Sequence, residues 1–467
     1  METLVIFISL GLLMFFAYKG YSVIFFAPVF ALLAAVVSGL HVMPTYTEVF
    51  MPTMVGFVKN FFPLFMLGAI FGKLMEDSGS AKRIANFIVE KVGAQHAVMA
   101  VMLTCVVLAY GGVSVHVISF AVYPLAAALF KEAGIPKRVI PACIAFGGWS
   151  IAMDALPGTP QIQNLIPTKY LGTDAYAAPM TGIIAAVILW FGGWYYLQWQ
   201  AKKLMAAGEG YGTGHKNEPD PKLAMDTSNL PSIFAATLPL VIVLVGNYIF
   251  TQLIKQWDPG ILSGVKTGAT LASVTSIWAL IIALTISIAA TLIINRNRFF
   301  FDKSFNLASC SHIAVMGSLL AIMNTASEVG YGNVIALQQG FKNIQAFLMT
   351  VHIGNSPLVS EAIMINVIAG ITGSASGGIG IAMDLMGKTY LEWGNAAGIS
   401  PEIIHRIASL ASGGMDTLPH NGAVITLLAI CGLTHRESYK FIFVLTMFKT
   451  VVAFFMVALV TIFPFIK

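Results

Sequence analysis

Apolar runs of membrane-crossing length, interrupted at a few fixed kinds of place, dominate this chain. Residues 4–18 and 22–40 predict two spans joined by a turn at Lys19-Gly20, and a third runs from about 53 to 75 with Pro63 inside it. A helix needs about 20 apolar residues to cross the hydrocarbon of a bilayer. The pattern changes at Glu76-Asp77-Ser78-Gly79. Residues 80–92 then set Lys82, Arg83 and Lys91 among Ile84, Phe87 and Ile88 at helical spacing, which predicts a helix lying in the membrane interface. From 97 to 130 the chain is apolar except at Tyr110-Gly111-Gly112-Val113-Ser114. Each arm is short for a crossing, so this stretch predicts a re-entrant hairpin with a glycine-serine tip. A helix over 137–170, interrupted at 154–160, and a sixth element over 179–199 follow.

A polar connector at 201–229, rich in Gly, Lys, Asp and Pro, reads as a flexible link. The series then repeats. Spans are predicted at 231–253, 268–294 and 305–326, and an interfacial stretch at 328–345. A hairpin over 346–392 has its tip at Thr372-Gly373-Ser374-Ala375-Ser376-Gly377-Gly378. A second interrupted helix (401–432) and a last span (439–465) complete the chain.

The correspondence extends to individual residues. The interruption Met153-Asp154-Ala155-Leu156-Pro157-Gly158-Thr159-Pro160 returns 262 residues later as Met415-Asp416-Thr417-Leu418-Pro419-His420-Asn421-Gly422. Gly111 and Ser114 match Gly373 and Ser376 at the same offset. Ala133-Gly134-Ile135 matches Ala397-Gly398-Ile399 two residues further on, and Asp77-Ser78-Gly79 stands in the order where Glu328-Val329-Gly330 stands. Five crossings and one re-entrant hairpin in each half is an odd count, so the second half must be inverted. The expected fold is therefore an all-α polytopic membrane protein, an inverted-topology repeat of 1–200 and 230–467 joined by a cytoplasmic linker at 201–229.

Composition supports this class: 57% of residues are hydrophobic and only 10% charged, with mean hydropathy +0.81. Soluble domains carry about a quarter charged residues. The net charge of +5 is no nucleic-acid footprint, because Lys and Arg fall in short loops where they set orientation. With the N-terminus outside, Lys19, Lys73 to Lys91, Lys131, Lys137, Arg138, Lys202, Lys203, Arg296, Arg298, Lys303, Arg436 and Lys440 face the cytoplasm. Lys59, Lys169, Lys255, Lys266, Lys342, Lys388 and Arg406 remain outside. Cys105, Cys143, Cys310 and Cys431 have no metal or disulfide spacing and read as small buried hydrophobes. The N-terminus reads as a retained first span, and no cofactor is called for.

A carboxylate at mid-helix costs about 2.5–3.5 kcal/mol on insertion scales, and a proline removes a backbone hydrogen bond as well. Such a stretch survives only where it is buried in protein or lines a wet cavity. Two of them in corresponding positions point to the binding site of a secondary transporter. The half-helix beyond each break exposes N–H groups that suit an anion, and Gly/Ser tips let backbone amides come close. The candidate substrate site is therefore Gly111, Gly112, Ser114, Thr159, Gln161, Asn164, Ser374, Ser376, His420 and Asn421. Asp154, Asp416 and His116 are the candidates for a coupling proton or cation. Each has a plainer reading: His116 as a packing histidine, Gln161 and Asn164 as partners for freed backbone groups, Gly373 to Gly378 as a tight helix contact. An intramembrane aspartyl protease built on the two Asp residues and a channel are the rival functions.

Leu67-Gly68-Ala69-Ile70-Phe71-Gly72-Lys73, followed by Glu76-Asp77-Ser78-Gly79, resembles the gluconate permease family of the ion transporter superfamily. Residues 110–114 and 153–167 look more like its D-beta-hydroxybutyrate permease branch. The resemblance covers essentially the whole chain. It implies an importer of a small organic acid anion, a hydroxy monocarboxylate such as 3-hydroxybutyrate, driven by protons. It also implies a homodimer in the bacterial inner membrane, with a scaffold and a moving domain of hairpins and broken helices. Gluconate-type members carry His-Gly and Pro-Pro-His-Pro-Gly-Pro type breaks where this chain has Leu156-Pro157-Gly158-Thr159-Pro160, which favours a smaller acid than gluconate. Sodium in place of protons, and a sugar acid in place of the smaller one, remain the alternatives.

Overall fold

Each apolar run becomes a helix, and the interruptions become the turns and breaks between helices. The structure, a computed structural model, describes residues 2–220, 228, 230–263, 269–302, 305–463 and 466. The charges of Lys266 and Lys303 used for orientation lie outside the described residues. The first half comprises α1 (Glu2–Tyr18), α2 (Val23–Val37), α3 (Val42–Asp77), α4 (Ser80–Val92), the pair α5 (Ala97–Tyr110) and α6 (Val115–Glu132), a broken helix and α9 (Pro179–Ala206). The broken helix is α7 (Ile140–Phe146) with a π-helical continuation, Gly147–Ala155, then a break, then the short α8 (Ile166–Leu171).

The second half repeats this order. It runs α10 (Ile233–Ile254), α11 (Leu271–Ile294), α12 (Leu307–Ala336), α13 (Gln339–Thr350), the pair α14 (Leu358–Thr372) and α15 (Ala375–Ala396), α16 (Pro401–Ser412), a break, α17 (Gly422–Ile430) and α18 (His435–Ile462). Among the described residues seven helices, α3, α6, α9, α10, α11, α12 and α18, are long and apolar enough to cross a membrane, while α1, α2, α5 and α14 are apolar but shorter.

Contacts between the halves are exchanged in pairs. The first helix of each half packs on the interfacial helix of the other: α1 on α13, and α10 on α4. The outer piece of each broken helix meets the opposite hairpin, α8 against α15 and α17 against α6. Helices α3 and α12 pack on each other, as do α9 and α18. Equivalent elements meeting each other, and unlike elements meeting in swapped pairs, is the signature of a two-fold axis relating the halves.

Three expectations are corrected. Helix α3 begins at Val42 rather than near 53, through a π-helical turn at Tyr46–Phe50. Pro52 does not stop it: the chain passes the proline through the π-helical turn that immediately precedes it. Helix α12 continues to Ala336, so Glu328 is not at an interface but 4% exposed within a membrane-length helix. The separate amphipathic piece is α13 alone, and the second hairpin accordingly begins at Leu358.

The connector is tied down where it is described. Buried Lys137 pairs with Glu218 at 2.6 Å and donates to the Lys216 carbonyl at 2.9 Å. Arg138 pairs with Glu209, Tyr123 donates to the Asn217 carbonyl, and Asn217 donates to the Ala429 carbonyl. Burial, and then the Glu218 carboxylate it donates to, push the Tyr211 hydroxyl above its ordinary range, so it remains a donor. Residues 209–218 thus strap α6 to α17 rather than hanging free.

Candidate functional site

The first break is held open by side chains that replace the lost helical bonds. Leu156 turns extended after the π-helical stretch, and the Gly158 N–H donates to the Ala175 carbonyl at 2.7 Å. Tyr110 donates to the Pro157 carbonyl at 2.9 Å, and Gln161 Nε2 to the Ala109 carbonyl at 2.7 Å. Asn164 Nδ2 donates to the carbonyls of Thr159 and Ala175, while its Oδ1 accepts from Arg406 Nη1 at 2.9 Å. Arg406, expected in an outer loop, is fully buried on α16 and also donates to the Ala177 carbonyl at 2.7 Å. Thr159 and Asn164 are fully buried and brace the break.

The second break is built on the same device. Asn421 Oδ1 caps α17 by accepting from the Val424 N–H, and its Nδ2 donates to the carbonyls of Gly373 and Asp416. His420 Nε2 lies 3.2 Å from the Ile371 carbonyl. Asp416 is 3% exposed and pairs with Lys449 of α18 at 2.7 Å, and Thr417 bonds Thr446 beside them. Asp154 has no such partner. It is 2% exposed, its Oδ1 is without a hydrogen bond, and a Cβ added at Gly413 would overlap its carboxylate. The breaks of the two halves therefore meet through Asp154 and Gly413.

The hairpin tips turn on glycine at positive φ, Gly112 at +91° and Gly373 at +64°, backbone that a side-chain-bearing residue rarely adopts. Ser114 caps α6 weakly, at 3.5 Å from the Val117 N–H, and Ser374 caps α15 at 3.0 Å from the Gly377 N–H. Ser376 Oγ lies 3.4 Å from Thr325 Oγ1 of α12. Each tip leans on the break of its own half: a Cβ at Gly112 would stand 3.3 Å from Pro160, and one at Gly373 would stand 2.8 Å from His420. Gly111 is buried against Leu240 of α10. His116, two residues past the first tip, is exposed.

The candidates thus fall into two layers. Gly112, Ser114, Gln161, Ser374, Ser376 and His420 are half-buried around the tips. Thr159, Asn164, Asn421, Asp154 and Asp416 are buried behind them. A crevice of about 320 Å³, lined by Thr53, Phe57, Lys169, Tyr170, Asn333 and Asp384, separates α3 and α12 from α8 and α15. Gly380 of α15 packs against two of its lining residues, since a Cβ there would lie 3.3 Å from both Phe57 and Val329. Lys449, Arg406 and Glu328 were missed as site residues. A charge inside an apolar run marks such a position, and Lys449 within 439–465 carried that signal.

Paired broken helices and paired hairpins in a two-fold helical bundle define a membrane transporter, not an enzyme, and Asp416 is ion-paired with Lys449 inside it. The chain matches the family described as GntP family permease over residues 1–463 and belongs to that family. It is 46% identical over 471 residues to the uncharacterized transporter YxjC of Bacillus subtilis, covering 98% of each chain. A shorter match, 28% over 180 residues, joins it to an uncharacterized transporter of Haemophilus influenzae, covering 38% of this chain and 39% of that one. In fold it is similar to the YdaH transporter of Alcanivorax borkumensis, with TM-score 0.54, 16% identity and 88% of each chain covered. It is also similar to Neisseria gonorrhoeae MtrF, with TM-score 0.50, 14% identity, and 87% of this chain and 82% of that chain covered.

Proposed function

We propose that this permease imports a small organic acid anion, a hydroxy monocarboxylate such as 3-hydroxybutyrate, by proton symport across the bacterial inner membrane. On this reading α3 and α12 belong to a scaffold shared in a homodimer, and the hairpins and broken helices move against it. The observation that carries it is the pair of half-buried Gly/Ser tips at the N-termini of α6 and α15, each facing a membrane-length helix of the scaffold. A helix N-terminus with accessible hydroxyls favours a carboxylate. The test is uptake by proteoliposomes of labelled 3-hydroxybutyrate, lactate and gluconate under imposed proton or sodium gradients. Accumulation of a short hydroxy acid on a proton gradient supports the reading, and no accumulation of any acid overturns it.

Ser114 and Ser376 are the cleanest probes of this site, because their hydroxyls make only long contacts within the protein. Of Ser114→Ala and Ser376→Ala, the one at the tip that holds substrate should weaken binding about ten- to a hundredfold, the loss of one hydrogen bond to a charged acceptor. Wild-type affinity in both would displace the site from the tips. In the alternating cycle the first tip opens inward and the second outward. A cysteine at Gly112 should then label from the cytoplasm and one at Ala375 from outside, each protected by substrate, and labelling of both from one side only would sink the inverted arrangement.

A further inference from the structure

The two tips are not equivalent, and the difference lies on α12. Gly72 of α3 faces the first tip, where a Cβ would stand 3.4 Å from the Ser114 N–H nitrogen. The second tip faces Glu328. Its carboxylate lies over the first turn of α15, so close that a Cβ at Gly377 would overlap Oε2. Glu328 is 4% exposed, and Oε2 has no hydrogen-bond partner. Ser374 and Ser376 stand beside it, with Thr325 one turn earlier on the same helix.

The other titratable groups near this level are engaged elsewhere or turned away. Asp384 of α15 is held by Tyr170 and Asn333, and Tyr331 of α12 bonds Ser9. Lys73 of α3 pairs with Glu76 and Asp77 at the far end of that helix. Tyr46 packs on Phe50, Glu48 and Lys59 of α3 are exposed, Lys388 and Glu392 of α15 are exposed, and His420 is bonded to the Ile371 carbonyl behind Gly373. Beside this stretch of α12, α3 presents apolar side chains: Phe50 packs at Gly330, Met54 Sδ lies 4.0 Å from Ser327 Oγ, and Phe57 packs with Val329 at Gly380.

We propose that Glu328 is a built-in, proton-controlled occupant of the anion position at the second tip. Ionised, its carboxylate takes the place at the α15 N-terminus that a substrate carboxylate would take. Two like charges held within a few ångströms repel strongly away from bulk water. A substrate anion therefore binds there only with a proton on Glu328, and a neutral acid is also the form that burial without a partner tolerates. This rests on the anion site proposed above and adds to it the residue that makes binding itself pH-dependent.

The experiment measures equilibrium binding of 3-hydroxybutyrate, lactate and gluconate to the purified full chain by calorimetry across neutral pH, with wild type, Glu328→Gln and Glu328→Asp compared. Melting temperature serves as the folding control. Wild-type affinity should fall at least about tenfold per pH unit on the alkaline side, about one power of ten for each linked proton. Glu328→Gln should lower that slope by one proton and bind more tightly than the wild type at alkaline pH, whereas Glu328→Asp should keep the wild-type slope. An unchanged slope in a folded Glu328→Gln overturns this inference alone. Absence of binding of any of the three acids by the wild type overturns the anion-site reading, and this inference with it.

Discussion

Lys449→Met should leave a protein that folds poorly or melts far below the wild type, and Asp416→Asn should do nearly as much harm. The two side chains form an ion pair at 2.7 Å, each 5% exposed, between the second break and α18. Removing one partner strands a charge away from water, and breaking a buried pair typically costs about 3–5 kcal/mol. Thermal melting in detergent, with retention of a monodisperse peak as the first screen, reads the effect. The double variant Asp416→Asn/Lys449→Met should recover much of the loss, because neither stranded charge remains. That non-additivity separates an ion pair from two independent packing sites. Single variants that melt like the wild type would show that the pair does not hold the break to α18.

What the sequence revealed, and what it hid, follows from the range of each signal. The tips and breaks were readable because Gly111, Ser114, Pro157, Gly373, Ser376 and Pro419 are anomalous where they stand, in runs that are otherwise apolar. Their repetition at one offset turned weak local signals into an architecture. Partners across the fold were not readable. Nothing near Lys449 names Asp416, and Arg406, five residues past a helix-starting Pro401, has the local look of a loop charge although it bonds Asn164 of the other half. Glu328 was misplaced for a related reason. Its Val329-Gly330 neighbours imitate the Ser78-Gly79 turn, yet Gly330 lies inside α12, packed on Phe50, and the helix runs on. The roles of Thr159, Asn164 and Asn421 were equally hidden, because a polar side chain that braces a break and one that reaches a ligand are the same letter in a sequence.

Asp154→Asn should separate exchange from accumulation. Of the two mirrored aspartates, Asp416 already has its charge matched by Lys449, so a change of its protonation would break an ion pair. Asp154 has an unpartnered Oδ1, lies 2% exposed, and rests on Gly413 of the opposite break. It is the one of the pair whose burial becomes cheaper when a proton neutralises it. It also sits on a broken helix, among the elements proposed to move with the substrate, whereas Glu328 sits on α12, which the same proposal assigns to the scaffold. In the proposed cycle a proton held on a moving element changes sides together with the substrate. An anion entering an inside-negative cell is opposed by about 2.3 kcal/mol per 100 mV, and one proton carried with it removes that opposition. Asparagine keeps the shape against Gly413 and is permanently neutral. In vesicles loaded with unlabelled substrate, Asp154→Asn should therefore still run counterflow near the wild-type rate. On an inward proton gradient the wild type should accumulate substrate severalfold or more, and Asp154→Asn should stop at equal concentrations inside and out. Should the variant still accumulate substrate, the coupling proton lies elsewhere, and exposed His116 at the first tip is the next residue to replace. Accumulation on a sodium gradient alone would instead direct attention to the carbonyl oxygens at the tips as ligands of a cation.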